Sequence, residues 1–386
     1  MKNTFILMLM AAAGVVTSCS TTDDVAMIDD ITAESPSTKE DGVAALIVVP
    51  GFATNDTAGE EATTRASYYD GNTQKLLFEW NENDKLGIFP MQAKSSQQMF
   101  SFSELVSNVD GATDAVSHAV FTPDDLEFAW VEGRDYRAYY PYSSSSADIK
   151  TMKLDYTGQK QTDKPDFTAY KAGLLDDYNK SEIDASAHLS AKTFLQSAVS
   201  TPTDDNIQFK MEHLGGLVRF YLVLPESVNA DISEIRLVAS KPVFHEKVEY
   251  NLLEGTLSSY LDEPQQYLTL ALENAHVKKT SSDAYGHYLL AYMMAYPIAL
   301  TTELTSTDKL YIYVKGKDAD GKDAGGNDVY FRSNSITKKD ITKGGLTQFS
   351  VKPNATEDPI SLQPISVQEW KEGFNANNNG SGTGDW

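Results

Sequence analysis

Strand-like alternation dominates the pattern of apolar and polar positions along this chain. In "QYLTLAL", Leu268, Leu270 and Leu272 face one way and Tyr267, Thr269 and Ala271 the other, the two-residue period of a half-buried strand. "KLYIYVKG" repeats it, with Leu310, Ile312 and Val314 opposite Tyr311, Tyr313 and Lys315. "LGGLVRFYLVLP" is almost wholly apolar and reads as a buried strand closed by Pro225. "KLLFEWNENDKLGIFP" predicts two strands around an Asn/Asp turn, "YRAYYPY" an aromatic strand ended by proline, and "LTQFSV" a late strand. Helical periodicity is scarce. "DFTAYKAGLLDDYNK" and "AKTFLQSAVS" are the best candidates for short helices or loops. Many short strands with regular turns predict an all-β chain of β-sandwiches, not a parallel α/β fold.

Two stretches stand apart from that pattern. "VAALIVVP", Val43 to Pro50, is an isolated apolar run between Gly42 and Pro50-Gly51. Its length and β-branched content predict a buried strand carrying Val43, Leu46, Ile47, Val48 and Val49. Polar residues surround it: positions 19–65 hold ten acids against only Lys39 and Arg65, and read as an extended tether. At the other end, "ISLQPISVQEWKEG" follows the linker "KPNATEDP". Ile360 and Leu362 share a face, Pro364 shifts the phase, and Ile365 and Val367 continue. Proline cannot donate to a ladder, so the segment suits an edge or bulged strand attached to an already complete domain.

A chain of 386 residues is long enough for roughly two domains. Residues 176–206 are rich in Asp, Ser, Thr and Ala, which places a boundary near 200. The expected organisation is 1–18, 19–65, 66–199, 200–352 and 353–386.

The formal net charge of −23 argues against sequence-independent nucleic-acid binding and against adsorption to anionic lipid. A single cysteine, Cys19, excludes an intrachain disulfide framework. Before it, Lys2 is the only charged residue, and "FILMLMAAAGVV" is too short to span a membrane well, since that takes about 20 apolar residues. A basic start, a short apolar core and small residues mark 1–18 as a secretory signal. "VTSC" resembles a bacterial lipobox, in which the cysteine is lipidated; an ordinary signal with an incidental cysteine is the alternative.

Candidate chemistry is thin. His118, His188, His213, His245, His276 and His287 show no metal-binding spacing. There is no nucleophile elbow and no credible phosphate loop, so neither a catalytic residue, a metal nor a cofactor is expected. In "DADGKDAGGND", Asp318, Asp320 and Asp323 have oxygens that suit Ca²⁺, but Asp-Gly and Gly-Gly between two strands favour a hairpin loop up to Asp328.

Taken together, the lipobox, acidic tether and short apolar strand, then "TTRASYYDG", "LLFEWNENDKLGIFP", "YRAYYPY" and "FKMEHLGGLVRFYLVLP", resemble the fimbrillin family of Bacteroides-type pilus subunits over most of residues 1–374. The resemblance implies two tandem β-sandwich domains of transthyretin-like character and export to the outer membrane as a lipoprotein. It implies cleavage after Arg65, before Ala66, by an arginine-specific or trypsin-like protease, which frees the strand at 43–50. The vacated groove then takes a donor strand from another subunit, here Ile360, Leu362, Ile365, Val367 and Trp370. Partners would be copies of the chain or related pilus subunits, the processing protease, and a host protein or glycan receptor. The implied role is a pilus shaft subunit supporting adhesion and biofilm formation, not an enzyme. The alternative is a monomeric surface lipoprotein binding glycans or host proteins. Seven or eight buried aliphatics in the exchanged strand would give a gross gain of about 10–20 kcal/mol before entropy.

Overall fold

The computed structural model describes residues 43–49, 53–54, 68–70, 75–77, 80–92, 96–106, 117–144, 151–161, 184–203, 206–225, 227–277, 288–319, 326–349 and 360–373. In chain order its strands are β1 (Ala44–Val49), β2 (Ala53–Thr54), β3 (Tyr68–Asp70), β4 (Lys75–Leu77), β5 (Lys85–Pro90), β6 (Gln98–Leu105), β7 (Ser117–Pro123), β8 (Tyr136–Tyr140), β9 (Thr151–Asp155), β10 (Lys160–Gln161), β11 (Leu195–Ser197), β12 (Asn206–His213), β13 (Gly216–Val223), β14 (Ala230–Ala239), β15 (Lys247–Asn251), β16 (Thr256–Tyr260), β17 (Tyr267–Val277), β18 (Tyr288–Ala295), β19 (Leu310–Asp318), β20 (Asp328–Ser333), β21 (Gly345–Phe349) and β22 (Ile360–Ile365). A 3₁₀ helix at Asp184–Lys192 and the short helices α1 (Leu300–Glu303) and α2 (Val367–Gly373) complete the described elements. The fold is all-β, as the alternation predicts.

The first unit closes into a barrel in the order β1-β12-β11-β8-β5-β6-β7. Closure removes the edge strands that a sandwich would leave. Seven strands cannot all be antiparallel to both neighbours around a closed ring, so one pair must run parallel. That pair is β1 and β12. The interior is aromatic: Phe100, Phe121 and Phe209 are fully enclosed, and Trp80 packs edge-on against Phe121 and Tyr140 at ring distances of 5.1 Å. Gly87 on β5 faces Tyr139 on β8, and a Cβ there would lie 2.0 Å from the tyrosine ring. This is why a glycine interrupts "KLGIFP".

The second unit packs two sheets face to face. One carries β17-β14-β19-β20; the other pairs β18 with β13, β13 with β21, and β21 in turn with β2. Strand β22 joins them, antiparallel to β20 through Leu362–Ile365 and parallel to β13 through Ile360 and Ser361. Phe220, Leu222, Ile235, Leu237, Leu270 and Ile312 lie in the core between the sheets. The β18 edge is covered by side chains. The Gln159 amide accepts the Met294 N–H and donates to the Met294 carbonyl, both at 2.7 Å, and the Gln161 oxygen accepts the Tyr292 N–H at 3.0 Å. Backbone groups that would template another chain are thereby satisfied. A small third sheet, β16-β15-β9, lies beside the two.

Strand pairing does not divide at residue 200. The barrel takes β12 from beyond it, while β9 and β10, from before it, pair with β15 and β17 of the second unit. The described part of the polar stretch that suggested the boundary holds the 3₁₀ helix and β11, not a change of unit. "AKTFLQSAVS" is also corrected: Leu195–Ser197 form β11, buried between β8 and β12. "DFTAYKAGLLDDYNK" lies outside the described residues.

Candidate strand-exchange site

The run "VAALIVVP" forms β1, seated between β7 and β12. Ile47 stands opposite Ala119 on β7 and Phe209 on β12; Ala45 stands opposite Phe121 and Ile207. Burial alternates along the strand, with Ala45, Ile47 and Val49 fully enclosed and Leu46 and Val48 half-buried. Val43 precedes the strand and is half-buried. Only these three side chains point into the barrel, so the gross apolar contribution is about 4–7 kcal/mol, less than seven or eight buried aliphatics would give. The remainder of the bond is backbone: β1 is paired along both of its edges. Without β1, β7 and β12 each present an unpaired row facing an apolar slot. Beyond β1, the same upstream segment supplies β2, which extends the β21 edge of the second unit in parallel register at Ala53–Thr54. The sequence pattern gave no sign of so short a strand.

A buried carboxylate, Asp84, stands just ahead of β5 in the barrel wall. Asp84 accepts the Tyr140 hydroxyl at 2.7 Å and the Asn81 N–H at 2.8 Å, which shapes the turn ahead of β5. Burial raises the Asp84 pKa above the usual carboxylate value and that of Tyr140 above the usual phenol value.

The C-terminal segment is corrected in two respects. It is not appended to a finished domain: Ile360 and Leu362, 4% and 1% exposed, belong to the core of the second unit, because β22 fills the seam between its sheets. Nor is it strand throughout. Ser366 starts α2, accepting the Glu369 N–H at 3.1 Å while its own N–H donates to the Glu369 carboxylate at 2.8 Å. This reciprocal capping box is legible in the sequence as Ser366-x-x-Glu369 and was missed beside Pro364. Val367 and Trp370 are therefore helical. Val367 is exposed, whereas Trp370 covers the outer face of the sheet, 5.0 Å from Tyr330 and 5.7 Å from Tyr313 by ring centre. The Arg236 guanidinium lies between the Tyr267 and Trp370 rings. Ile365 closes β22 and packs on the same aromatic cluster.

Cys19, Arg65 and Ala66 lie outside the described residues, the last two between β2 and β3. Asp318 and Asp328 sit on the paired strands β19 and β20, which form the expected antiparallel hairpin, and Asp328 is matched by Lys315 and Lys317. Asp320 and Asp323 lie outside the described residues. Among the described residues, no group of three His, Cys, Asp or Glu side chains is placed to hold a metal ion. His213 is buried, His188 meets the Tyr292 carbonyl at 2.7 Å, and His245 stacks on Tyr260. No helix among the described residues is long and apolar enough to cross a membrane.

The chain is all-β, with an upstream strand closing its first unit and a terminal strand filling the seam of its second, and residues 64–370 match the fimbrillin-like family. The chain belongs to that family, a structural one, and membership supports a pilus-related role in adhesion at the cell surface. Among solved structures it is similar to a candidate cell adhesion protein of Bacteroides uniformis, at 12% identity, covering 83% of this chain and 98% of that one with a TM-score of 0.39. A candidate cell adhesion protein of Bacteroides ovatus is similar at 10% identity, with 84% and 96% coverage and a TM-score of 0.41. The tip fimbrial protein Mfa3 of Porphyromonas gingivalis is similar at 9% identity, with 77% and 83% coverage and a TM-score of 0.25. No curated protein matches the chain.

Proposed function

We propose that this chain is a pilus shaft subunit, exported as an outer-membrane lipoprotein held by Cys19, cleaved between Arg65 and Ala66, and polymerised by strand exchange. The observation that carries the reading is the seat of β1. It occupies a closed barrel between two edges that have no other partner, and the family match begins at Thr64, next to the proposed cut. A polar, acid-rich stretch separates β2 from Arg65 and suits protease access. Cleavage removes β1 and β2 together and opens the barrel slot.

The donor is the segment carrying Ile360 and Leu362. Its alternation of buried Ile360 and Leu362 with exposed Ser361 and Gln363 matches the alternation of β1. Donation requires β22 to leave its own sheet first. Strand addition then satisfies the open backbone rows of the next subunit, and a head-to-tail contact that does not close on itself makes a filament. Such filaments would support attachment to a host protein or glycan and the building of a biofilm.

The test is N-terminal sequencing of surface filaments, which should begin at Ala66. Arg65→Ala should abolish polymer ladders on gels while leaving the lipoprotein in place, and deleting 360–386 should remove the donor. Surface material that retains Cys19 throughout, or ladders undiminished by Arg65→Ala, refutes the reading.

A further inference from the structure

One cavity lies on elements that take no part in the proposed exchange. It is about 380 Å³, within the range of small-molecule pockets, and opens between the β14–β15 connection, the end of β16 and the residues leading into α1. Phe244 and Leu268 are buried beneath it, and Pro242, Pro264 and Pro297 stiffen its walls. At its mouth stands Tyr260, 51% exposed although it is a large aromatic. One face of the Tyr260 ring is stacked on His245, centre to centre 3.7 Å with the planes 16° apart, and Tyr296 meets it edge-on at 6.2 Å.

This platform is held in place from behind. Asp262 receives His245 Nδ1 at 3.1 Å on both its carbonyl and its Oδ1, while its Oδ2 accepts the backbone N–H groups of Glu246 and Lys247 at 2.9 and 3.2 Å. Fixing Nδ1 as the donor turns Nε2 of the neutral ring into an acceptor. Glu303, the last residue of α1, adds an exposed carboxylate at the rim. A ring with one face backed and the other solvated, beside an imidazole acceptor and a carboxylate, is a preorganised amphipathic surface.

We propose that this pocket binds a neutral pyranose. A sugar ring has an apolar C–H face, which suits the open face of Tyr260, and a rim of hydroxyls, which suits His245 Nε2 and Glu303. The Glu303 carboxylate at the rim and the Asp262 carboxylate behind His245, in a chain of net charge −23, select against acidic sugars.

The test applies the full-length chain to an array of oligosaccharides ending in mannose, galactose, glucose or N-acetylglucosamine, with sialylated versions and a polyproline decapeptide alongside. Binding to at least one neutral terminus is expected, weakened about tenfold by Tyr260→Ala and retained by Tyr260→Trp. Thermal melting of Tyr260→Ala should match the parent; should that variant fail to fold, Glu303→Ala on the exposed rim gives the same readout. Binding that neither alanine variant weakens, binding confined to sialylated glycans or the decapeptide, or no binding to any neutral terminus overturns the proposal. Tyr260→Ala should leave filament ladders intact, so this outcome is independent of the assembly reading.

Discussion

The seat of β1 makes a position-by-position prediction. Ile47 is fully enclosed between Phe209 and Ala119, whereas its neighbour Leu46, of equal apolar volume, is half-buried on the other face. Truncating a fully buried isoleucine to alanine costs about 2–5 kcal/mol, and the close-packed aromatic interior leaves little room for collapse. Ile47→Ala should therefore destabilise the barrel by about 3–4 kcal/mol and Leu46→Ala by less than about 1 kcal/mol. The assay is urea unfolding of the Arg65→Ala precursor, which keeps β1 covalently attached. Near-ultraviolet circular dichroism follows the barrel, where Trp80 is fixed between Phe121 and Tyr140. The midpoint should fall with an unchanged slope. Equal losses at positions 46 and 47, or a loss below about 1 kcal/mol at Ile47, would show that β1 does not fill this slot.

Two other perturbations read different parts of the molecule. Trp370→Ala removes a side chain only 8% exposed that also covers Arg236, so it should cost the second unit about 3 kcal/mol in a urea melt, while Val367→Ala on the open side of α2 should cost almost nothing. Burial, reinforced by Asp262 and Asp155, pushes the Glu246 pKa up to about 7, so the folded state holds a proton there that the unfolded chain releases near its ordinary value. The penalty for ionising it is absent below the unfolded pKa of about 4.5, grows as the pH climbs to 7 and is constant above. Glu246→Gln should therefore stabilise the protein by about 1–2 kcal/mol at pH 8 relative to its effect at pH 4.5, and an equal effect at both pH values would contradict this.

Elements whose burial comes from their own side chains were legible in the sequence. In β17 and β19, Leu268, Leu270, Leu310, Ile312 and Val314 are all buried, as their two-residue period requires. In β1 the same apolar content announces a strand, but not its neighbours. What escaped was set by partners distant along the chain. Strand β11 contains Gln196 and Ser197, polar residues that are buried because Gln196 donates to the Leu252 carbonyl and Ser197 accepts the Ala138 N–H. No local pattern shows that such residues lie inside. Helix α2 had a local signal, the Ser366–Glu369 box, overshadowed by the strand reading around Pro364. Tyr260 and His245 are fifteen residues apart, and their stacking follows from the β15–β16 hairpin, not from any motif.

The interleaving of the two units has a mechanical consequence. The chain passes from the second unit to the barrel through Thr193–Phe194 and back through Leu214–Gly215, two tight spans tied together by a hydrogen bond of 2.8 Å from the Leu214 N–H to the Phe194 carbonyl. Arg137 on β8 braces the joint by donating to the carbonyls of Leu252 and Leu253 at 2.6 and 3.0 Å. A pull that draws the two units apart is thus shared by spans acting side by side, with no single tether to stretch. Separating the units must break these bonds at the joint before it loads β11 and β12, the strands that the two spans hold. In the filament proposed above, each subunit would then behave as a stiff link.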